Sequence, residues 1–397
     1  MQQELNILIL GNNGRESALA HSVLSSRRCH RLYADYASTD PRLIPTAIDP
    51  SDFEGVANFC RDNSINLIVV GPPEPIVAGI HDYLAASPGL ENLRIVAPTA
   101  EAARLEGSKE FAKEFMAETG IPSPRFMPVD EETVGEGLAY LESMTPPYIV
   151  KADGLSDGRG VVICADLAEA KDVLEDMIIE GIKGEAGRHV LIEQFVPGQE
   201  CSVIIATDGD DYVMLPVAID YKRLGDGDTG PNTPGMGAYS PVIFADDEFK
   251  SMVDKHIITP TLRGLKERGI DYQGFLYFGI ISVEGEPVVL EYNVRLGDPE
   301  AQAILPRIDS DIVELLEAIV ERRLGEYEMK ISERAAISVV LTDAETHTER
   351  STVTAVADTL DEARRQVYDI IGTIVRRNDN SPHPKPIYYR TDIGSEL

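Results

Sequence analysis

Four polar or glycine-rich stretches carry the residue types that chemistry needs. In Lys151-Ala-Asp-Gly-Leu-Ser-Asp-Gly-Arg-Gly160, one cation precedes a loop of closely spaced glycines and a second lies within it. Such backbone can close over phosphate oxygens while Lys151 neutralises them. The spacing is not that of a P-loop, and a plain hairpin loop stays an alternative for this segment alone. Glu291-Tyr-Asn-Val-Arg295 closes an apolar segment, and strand alternation sets Glu291, Asn293 and Arg295 on one face. A carboxylate with an amide oxygen suits Mg²⁺, which takes few protein ligands and keeps phosphate oxygens and waters. An arginine beside them can hold phosphate or a developing acyl phosphate. Gly11-Asn-Asn-Gly-Arg-Glu16 lies between an apolar run and a helical pattern, where N–H groups and the helix dipole favour an anion. It lacks the full G-x-G-x-x-G of a dinucleotide site, so a tight strand-to-helix turn remains open. Lys222 to Gly237 spans sixteen residues with five glycines and no apolar period, a length at which loops are usually functional or disordered. Its Asp226-Gly-Asp228 suggests calcium, but the rest of an EF-hand loop is missing.

These stretches need elements to hold them. Leu5–Leu10 and Leu67–Val70 are short apolar runs that read as buried parallel strands, each ending at a Gly- or Gly/Pro-containing loop. Helical patterns follow from Glu16 and from near Ile76, and Leu93 to Ala97 reads as a further strand. Strand–helix alternation implies a parallel α/β sheet over about the first 105 residues, with ligands expected at the carboxyl ends of its strands. Ser108 can cap a helix that runs to Gly120. A small α/β unit is expected from about 124 to 190, with strands near Phe126, Tyr148–Lys151 and Val161–Cys164 and helices at Glu131–Met144 and Leu167–Glu180. Strands at Val190–Gln194, Glu200–Thr207 and Tyr212–Val217 precede the long loop, taken to extend to Pro241. A helix over Asp246–Glu267, strands at Phe275–Val283 and Pro287–Tyr292, and a helix over Ile312–Arg323 follow. The last segment, 331–397, reads as strands at Ala336–Leu341, Ser351–Val356 and Ile387–Tyr389 with a helix at Leu360–Ile371.

The bulk composition sets limits on what these loops serve. Lys plus Arg is 36 against 67 Asp plus Glu, a formal charge of −31, which argues against binding nucleic acid or an anionic membrane. A local pocket can still be positive. The 43% hydrophobic content and recurring apolar segments speak against disorder. Cys29, Cys60, Cys164 and Cys201 form no C-x-x-C pair, and His21, His30, His81, His189, His256, His347 and His383 show no metal spacing. No basic n-region or long apolar span is present, so the reading is a soluble, cytoplasmic protein. No nucleophile elbow or Cys/His signature is present either. The four stretches in combination point to electrostatic phosphate chemistry with Mg²⁺ rather than to covalent catalysis.

The loops together resemble the ATP-grasp ligases, and more closely the phosphoribosylamine–glycine ligase family. The stretches that carry the likeness are LILGNNGRE, EGSKEFAKEFMAETGIPSP, VKADGLSDGRGVVI, VLIEQFVPGQE, YKRLGDGDTGPNTPGMGAYSP, LEYNVRLGDPEAQ and YYRTDIG, spread over nearly the whole chain. The resemblance implies an α/β, ATP-grasp fold: a substrate-binding domain at 1–106, an ATP-grasp domain at 107–330 with a lid at about 124–190, and a shortened C-terminal domain at 331–397. It implies ATP and Mg²⁺ (or Mn²⁺) as cofactors and amide formation through an acyl phosphate. ATP would be held by Lys109, Lys151, Asp153, Gly154, Gly158, Arg159 and Gly160, by the hinge Glu193, Phe195 and Val196, and by Glu200 at the ribose. Glu291 and Asn293 would hold the metal. The substrate side would be Gly11, Asn13, Gly14, Arg15, Glu16, Glu74, Lys222, Asp226, Asp228, Asn232, Arg295, Gly297 and Asp298, with Arg295, Lys151 and Asp228 catalytic.

The chain departs from the family pattern at Ser17, Pro73, Arg159 and Pro234, and its C-terminal region is shorter. The expected substrates are therefore 5-phosphoribosylamine and glycine, or a paralogous pair of amino acid and sugar-phosphate amine. The other partners expected are ATP and, at most, further copies of the chain in a small homo-oligomer.

Overall fold

A computed structural model describes residues 4–155, 160–179, 188–381 and 384–395. The apolar runs become a five-stranded parallel sheet of β1 (Leu5–Leu10), β2 (Cys29–Ala34), β3 (Leu43–Pro45), β4 (Leu67–Val70) and β5 (Arg94–Val96), in the order β3-β2-β1-β4-β5. Its central strands are buried on both faces, as parallel strands covered by crossover helices must be. The covering helices are α1 (Gly14–Ser25), α2 (Phe53–Asp62), α3 (Pro73–Val77) and α4 (Ile80–Ala85).

Helices α5 (Ala100–Gly107) and α6 (Lys109–Thr119) lead out of this layer. Ser108 caps α6 as its hydroxyl position suggests, accepting from Phe111 N at 3.1 Å. The next unit is a four-stranded antiparallel sheet, β6 (Phe126–Val129), β7 (Tyr148–Ala152), β8 (Val161–Cys164) and β9 (Val190–Gln194), in the order β6-β9-β7-β8. Helices α7 (Val134–Ser143) and α8 (Leu167–Ile178) close its own small core around Leu141, Val150, Leu174 and Ile192.

A second antiparallel sheet is built from β10 (Gln199–Thr207), β11 (Tyr212–Met214), and the long pair β16 (Gly274–Val283) and β17 (Glu286–Asn293). Between them the sequence reading meets two corrections. The expected loop from Lys222 to Pro241 contains structure: β12 (Ile219–Asp220) precedes a hairpin of β13 (Arg223–Gly225) and β14 (Thr229–Asn232), and β15 (Gly237–Ser240) follows. The hairpin turns through Gly227 and Asp228, both in the left-handed region at φ 67° and 53°. The expected helix over Asp246–Glu267 is present, but a π-helical turn at Asp254–Ile258 separates α9 (Asp247–Val253) from α10 (Thr259–Glu267).

Helices α11 (Glu300–Ile304) and α12 (Ile312–Val320) return the chain to the first layer. The last strands, β18 (Ala335–Asp343), β19 (Glu349–Ala357) and β20 (Ile387–Tyr388), form a sheet under α13 (Leu360–Asp379). β18 pairs with β15, so this sheet crosses the expected domain boundary at residue 331. The four cysteines are free and buried, on β2, α2, β8 and β10.

Candidate active site

Three elements converge on one buried carboxylate. Glu193 on β9 is fully buried and forms ion pairs with both Lys113 on α6 and Lys151 on β7. The start of α6 is tied to the strap after β7. Asp153 accepts from Ser108 Oγ at 3.1 Å, from Glu110 N at 3.2 Å and from Lys109 N, and Lys109 Nζ donates to Gly154 O at 2.6 Å. A carboxylate on the first-turn amides of a helix is a favourable arrangement. Lys109 is crowded from water, which pushes its ammonium below the ordinary lysine value against the pull of Glu291 and Asp153.

The strand end of β17 supplies the second half. Glu291 is partly exposed, 3.7 Å from Lys222 Nζ, which also lies 3.5 Å from Glu200. Desolvation raises the Glu291 carboxyl, but Lys222, Lys151, Lys109 and Arg295 outweigh it and hold the group below the usual carboxylate value. Asn293 Oδ1 accepts from Arg295 Nη2 at 3.1 Å. Arg295 is anchored from behind by Glu106 at 3.1 Å, and Glu106 also accepts from Val294 N at 2.7 Å. Glu291 and Asn293 lie on either side of the buried Tyr292 at the end of β17, and Arg295 follows the strand, bound to Asn293. Asp220, on β12, joins the same field. Desolvation pushes its carboxyl up to about 7, eased by Lys222 and reinforced by Glu300, Glu200 and Glu291.

The carboxyl ends of β1 and β4 hold the third group. Arg15 and Glu16 are buried and pair with each other at 2.6 Å, Arg15 Nη1 donates to Leu296 O at 3.2 Å, and Asn13 N donates to Glu16 at 2.9 Å. Arg15 was expected to meet a sugar phosphate with its charge. That charge is instead committed inside the protein, to Glu16 and the Leu296 carbonyl. Asp298 accepts from Arg15 N at 3.2 Å and from Gln302 Nε2 at 2.6 Å. Gly297 lies so close to Glu300 that a β-carbon would sit 2.4 Å from its carboxylate. Glu74 is exposed on α3. A cavity of about 1430 Å³ opens here, lined among others by Asn13, Gly14, Ser17, Asp35, Gln302 and Glu349.

Gly71 explains part of this packing. A β-carbon there would lie 1.9 Å from Glu16 Oε1. Gly71→Ala should therefore displace Glu16, free Arg15, and lower stability by about 1–3 kcal/mol, the usual cost of forcing extra volume into a packed site. A thermal melt of the variant checks this.

The hairpin residues are placed differently from expectation. Asp228, expected to be catalytic, accepts from Arg390 Nη1 at 2.7 Å, and Asp226 accepts from Thr391 N at 2.9 Å and from the Thr391 hydroxyl. Asn232 pairs with Arg223 across the hairpin. The Asp226 and Asp228 carboxylates fasten the hairpin to the C-terminal segment, whereas Lys222 reaches the Glu291 cluster. Phe195 and Glu200 are exposed and Val196 is half-buried, beside the buried Glu193. Gly160 O accepts from Ala152 N at 2.8 Å, which closes the base of the glycine-rich loop. Gly158 and Arg159 lie outside the described residues.

Residues 5–106 match the family model of the phosphoribosylglycinamide synthetase N domain, and residues 107–301 match that of its ATP-grasp (A) domain. Phosphoribosylamine–glycine ligase of Vibrio parahaemolyticus is 39% identical over 342 residues, 85% of this chain and 78% of that protein. The chain belongs to the phosphoribosylglycinamide synthetase family. The phosphoribosylamine–glycine ligase of Xanthomonas axonopodis is 40% identical over the same length and coverage. The crystal structure of phosphoribosylamine–glycine ligase from Thermotoga maritima superposes with a TM-score of 0.78 at 26% identity, covering 98% of this chain and all of that one. The fold is the ATP-grasp fold.

Within this phosphoribosylglycinamide synthetase family member, sequence reasoning missed Glu106, Lys113 and Asp220. Lys113 had a signal. It lies four residues after Lys109, hence on the same face of α6, among the buried Phe111, Ala112, Phe115 and Met116. Glu106 and Asp220 had none, because their roles depend on strands far away in the chain.

Proposed function

We propose that the chain joins 5-phosphoribosylamine to glycine at the expense of ATP, giving glycinamide ribonucleotide, ADP and phosphate. The observation that carries this reading is the 39–40% identity over 342 residues to relatives that bear the name phosphoribosylamine–glycine ligase. The cation cluster around Glu291 agrees with it, because phosphoryl transfer is mostly positioning and charge stabilisation.

The residues fit a nucleotide-borne Mg²⁺. Glu291 keeps an accessible carboxylate, and Asn293 presents an amide oxygen on the same strand face. Among the described residues no group of three or more His, Cys, Asp or Glu forms a closed metal cage, which suits an ion that takes most of its ligands from phosphate and water. Such an ion, held by Glu291 and Asn293, would offset charge on the phosphate oxygens.

The protein's own groups do the remainder. Lys109 and Lys151 hold the phosphate chain of ATP. The glycine carboxylate forms a bond to the γ-phosphorus as the bond to ADP breaks, and the acyl phosphate results. The amine nitrogen then bonds to the acyl carbon, phosphate leaves with the electron pair, and the amine proton is lost. Arg295, braced by Glu106 and Asn293, lies beside the transferring group, where a fixed guanidinium stabilises developing charge without reorganising. The β1 loop and Asp298 orient the sugar phosphate beside the cavity.

Phosphate release is measured with each substrate left out in turn. Turnover is expected only with ATP, Mg²⁺, glycine and the sugar-phosphate amine together. Robust turnover that ignores glycine would overturn the assignment.

A further inference from the structure

Lys113 has no place in the ligand contacts above, yet it is the most buried lysine near them, 2% exposed. It meets Glu193, which is 0% exposed and which also meets Lys151. The three charges come from α6, β9 and β7, so the group ties the helix to the sheet that carries Lys151. Charge accounting explains why two lysines are needed. A buried carboxylate paired with Lys151 alone would cancel that lysine's charge, and an ammonium so engaged has little left for a phosphate. With Lys113 sharing the carboxylate, the group is net positive by one. Burial pushes the Lys113 ammonium down to about 8, and Glu193 is the leading group keeping it charged. Lys113 itself is almost fully buried and meets Glu193 there.

We infer that Lys113 is a positioning residue for the nucleotide: by taking half of Glu193, it leaves Lys151 a positive charge with which to hold a phosphate of ATP or ADP. The inference rests on the reading of Lys151 as a phosphate contact.

ADP with Mg²⁺ is titrated by calorimetry into the full chain and its variants. Lys151→Met sets the reference and should weaken ADP strongly. Lys113→Met should weaken ADP by roughly tenfold or more, the scale of a charge-assisted contact, and leave the KM values for glycine and the amine within about twofold. Lys113→Arg, which keeps the charge, should restore most of the affinity. The deciding comparison is a double-mutant cycle. In Glu193→Gln there is no carboxylate to share, so adding Lys113→Met should change ADP affinity by less than about twofold. The double variant removes one charge of each sign, which protects folding. A merely structural Lys113 would instead weaken all substrates together, or weaken ADP equally in both backgrounds. Either result overturns the inference, as does ADP affinity unchanged in Lys113→Met. If Lys151→Met also leaves ADP affinity unchanged, the nucleotide reading of Lys151 falls and the inference falls with it. If Lys151→Met weakens ADP and Lys113→Met does not, the inference alone falls.

Discussion

Glu291→Ala is expected to lower kcat by about a thousandfold or more and to leave the fold intact. The size follows from the charge it removes. A metal-borne neutralisation of the phosphates is worth several kcal/mol of barrier, and about 4 kcal/mol corresponds to three decades of rate. Stability should hardly move, because the Glu291 carboxylate is partly exposed and its ion pair is a long one, 3.7 Å to Lys222. Loose, solvent-touched pairs of this kind contribute at most about 1 kcal/mol. Initial rates at saturating substrates, set beside a thermal melt, separate the two effects. Near-normal turnover would remove Glu291 from the metal site, and a collapsed melt would make it a folding residue.

The other large effect is structural. Arg390→Met should cost about 3 kcal/mol or more of stability and release the β13–β14 hairpin. Arg390 is fully buried, and its guanidinium donates to Asp228 at 2.7 Å, to Asp392 at 2.6 Å and to Arg223 O at 3.0 Å. It also lies 4.8 Å from the centre of the Tyr221 ring, a cation–π contact. Removing the buried guanidinium takes away the donor that joins Asp228, Asp392 and the Arg223 carbonyl, and leaves two like charges side by side. Urea denaturation reads the stability, and limited proteolysis reads the hairpin, with new cleavage expected between Lys222 and Thr233. Asp392→Asn in the Arg390→Met background should recover part of the loss by removing one stranded charge. An unchanged urea midpoint would mean that the C-terminal segment does not fasten the hairpin.

These outcomes mark where sequence was readable and where it was not. The strands Leu5–Leu10 and Leu67–Val70 coincide with the apolar runs, because a strand buried on both faces writes itself as a nearly unbroken apolar run. The Ser108 cap was legible because capping is local. Glu291, Asn293 and Arg295 were legible because a strand alternates, and spacing alone puts them on one face. The hairpin inside Lys222–Gly237 was not legible: its pairing is short, its residues are polar, and its partner, Arg390, lies more than a hundred residues away in the chain. Asp228 looked chemical for the same reason that it is structural, since a carboxylate in a glycine-rich turn serves either purpose until its partner is known. Arg15 looked like a free cation, and the adjacent Glu16 that neutralises it was read as a second ligand. Charge counted along a chain does not say which charges are already spent on each other.

The four buried cysteines have a practical consequence. Burial pushes the thiols of Cys29 and Cys164 up to about 11 and those of Cys60 and Cys201 up to about 12. The thiolate is the reactive form, so none of them reacts readily at neutral pH until its own part of the molecule opens. They sit in different places: Cys29 and Cys60 in the first layer, Cys164 in the small sheet above the site, Cys201 in the long antiparallel sheet. An alkylating reagent followed by peptide mass mapping would therefore run as a set of stopwatches, one per region. Adding ADP should slow some of them and leave others untouched, and the pattern of which clocks slow would chart how far nucleotide binding stiffens the protein without placing a single foreign probe in it.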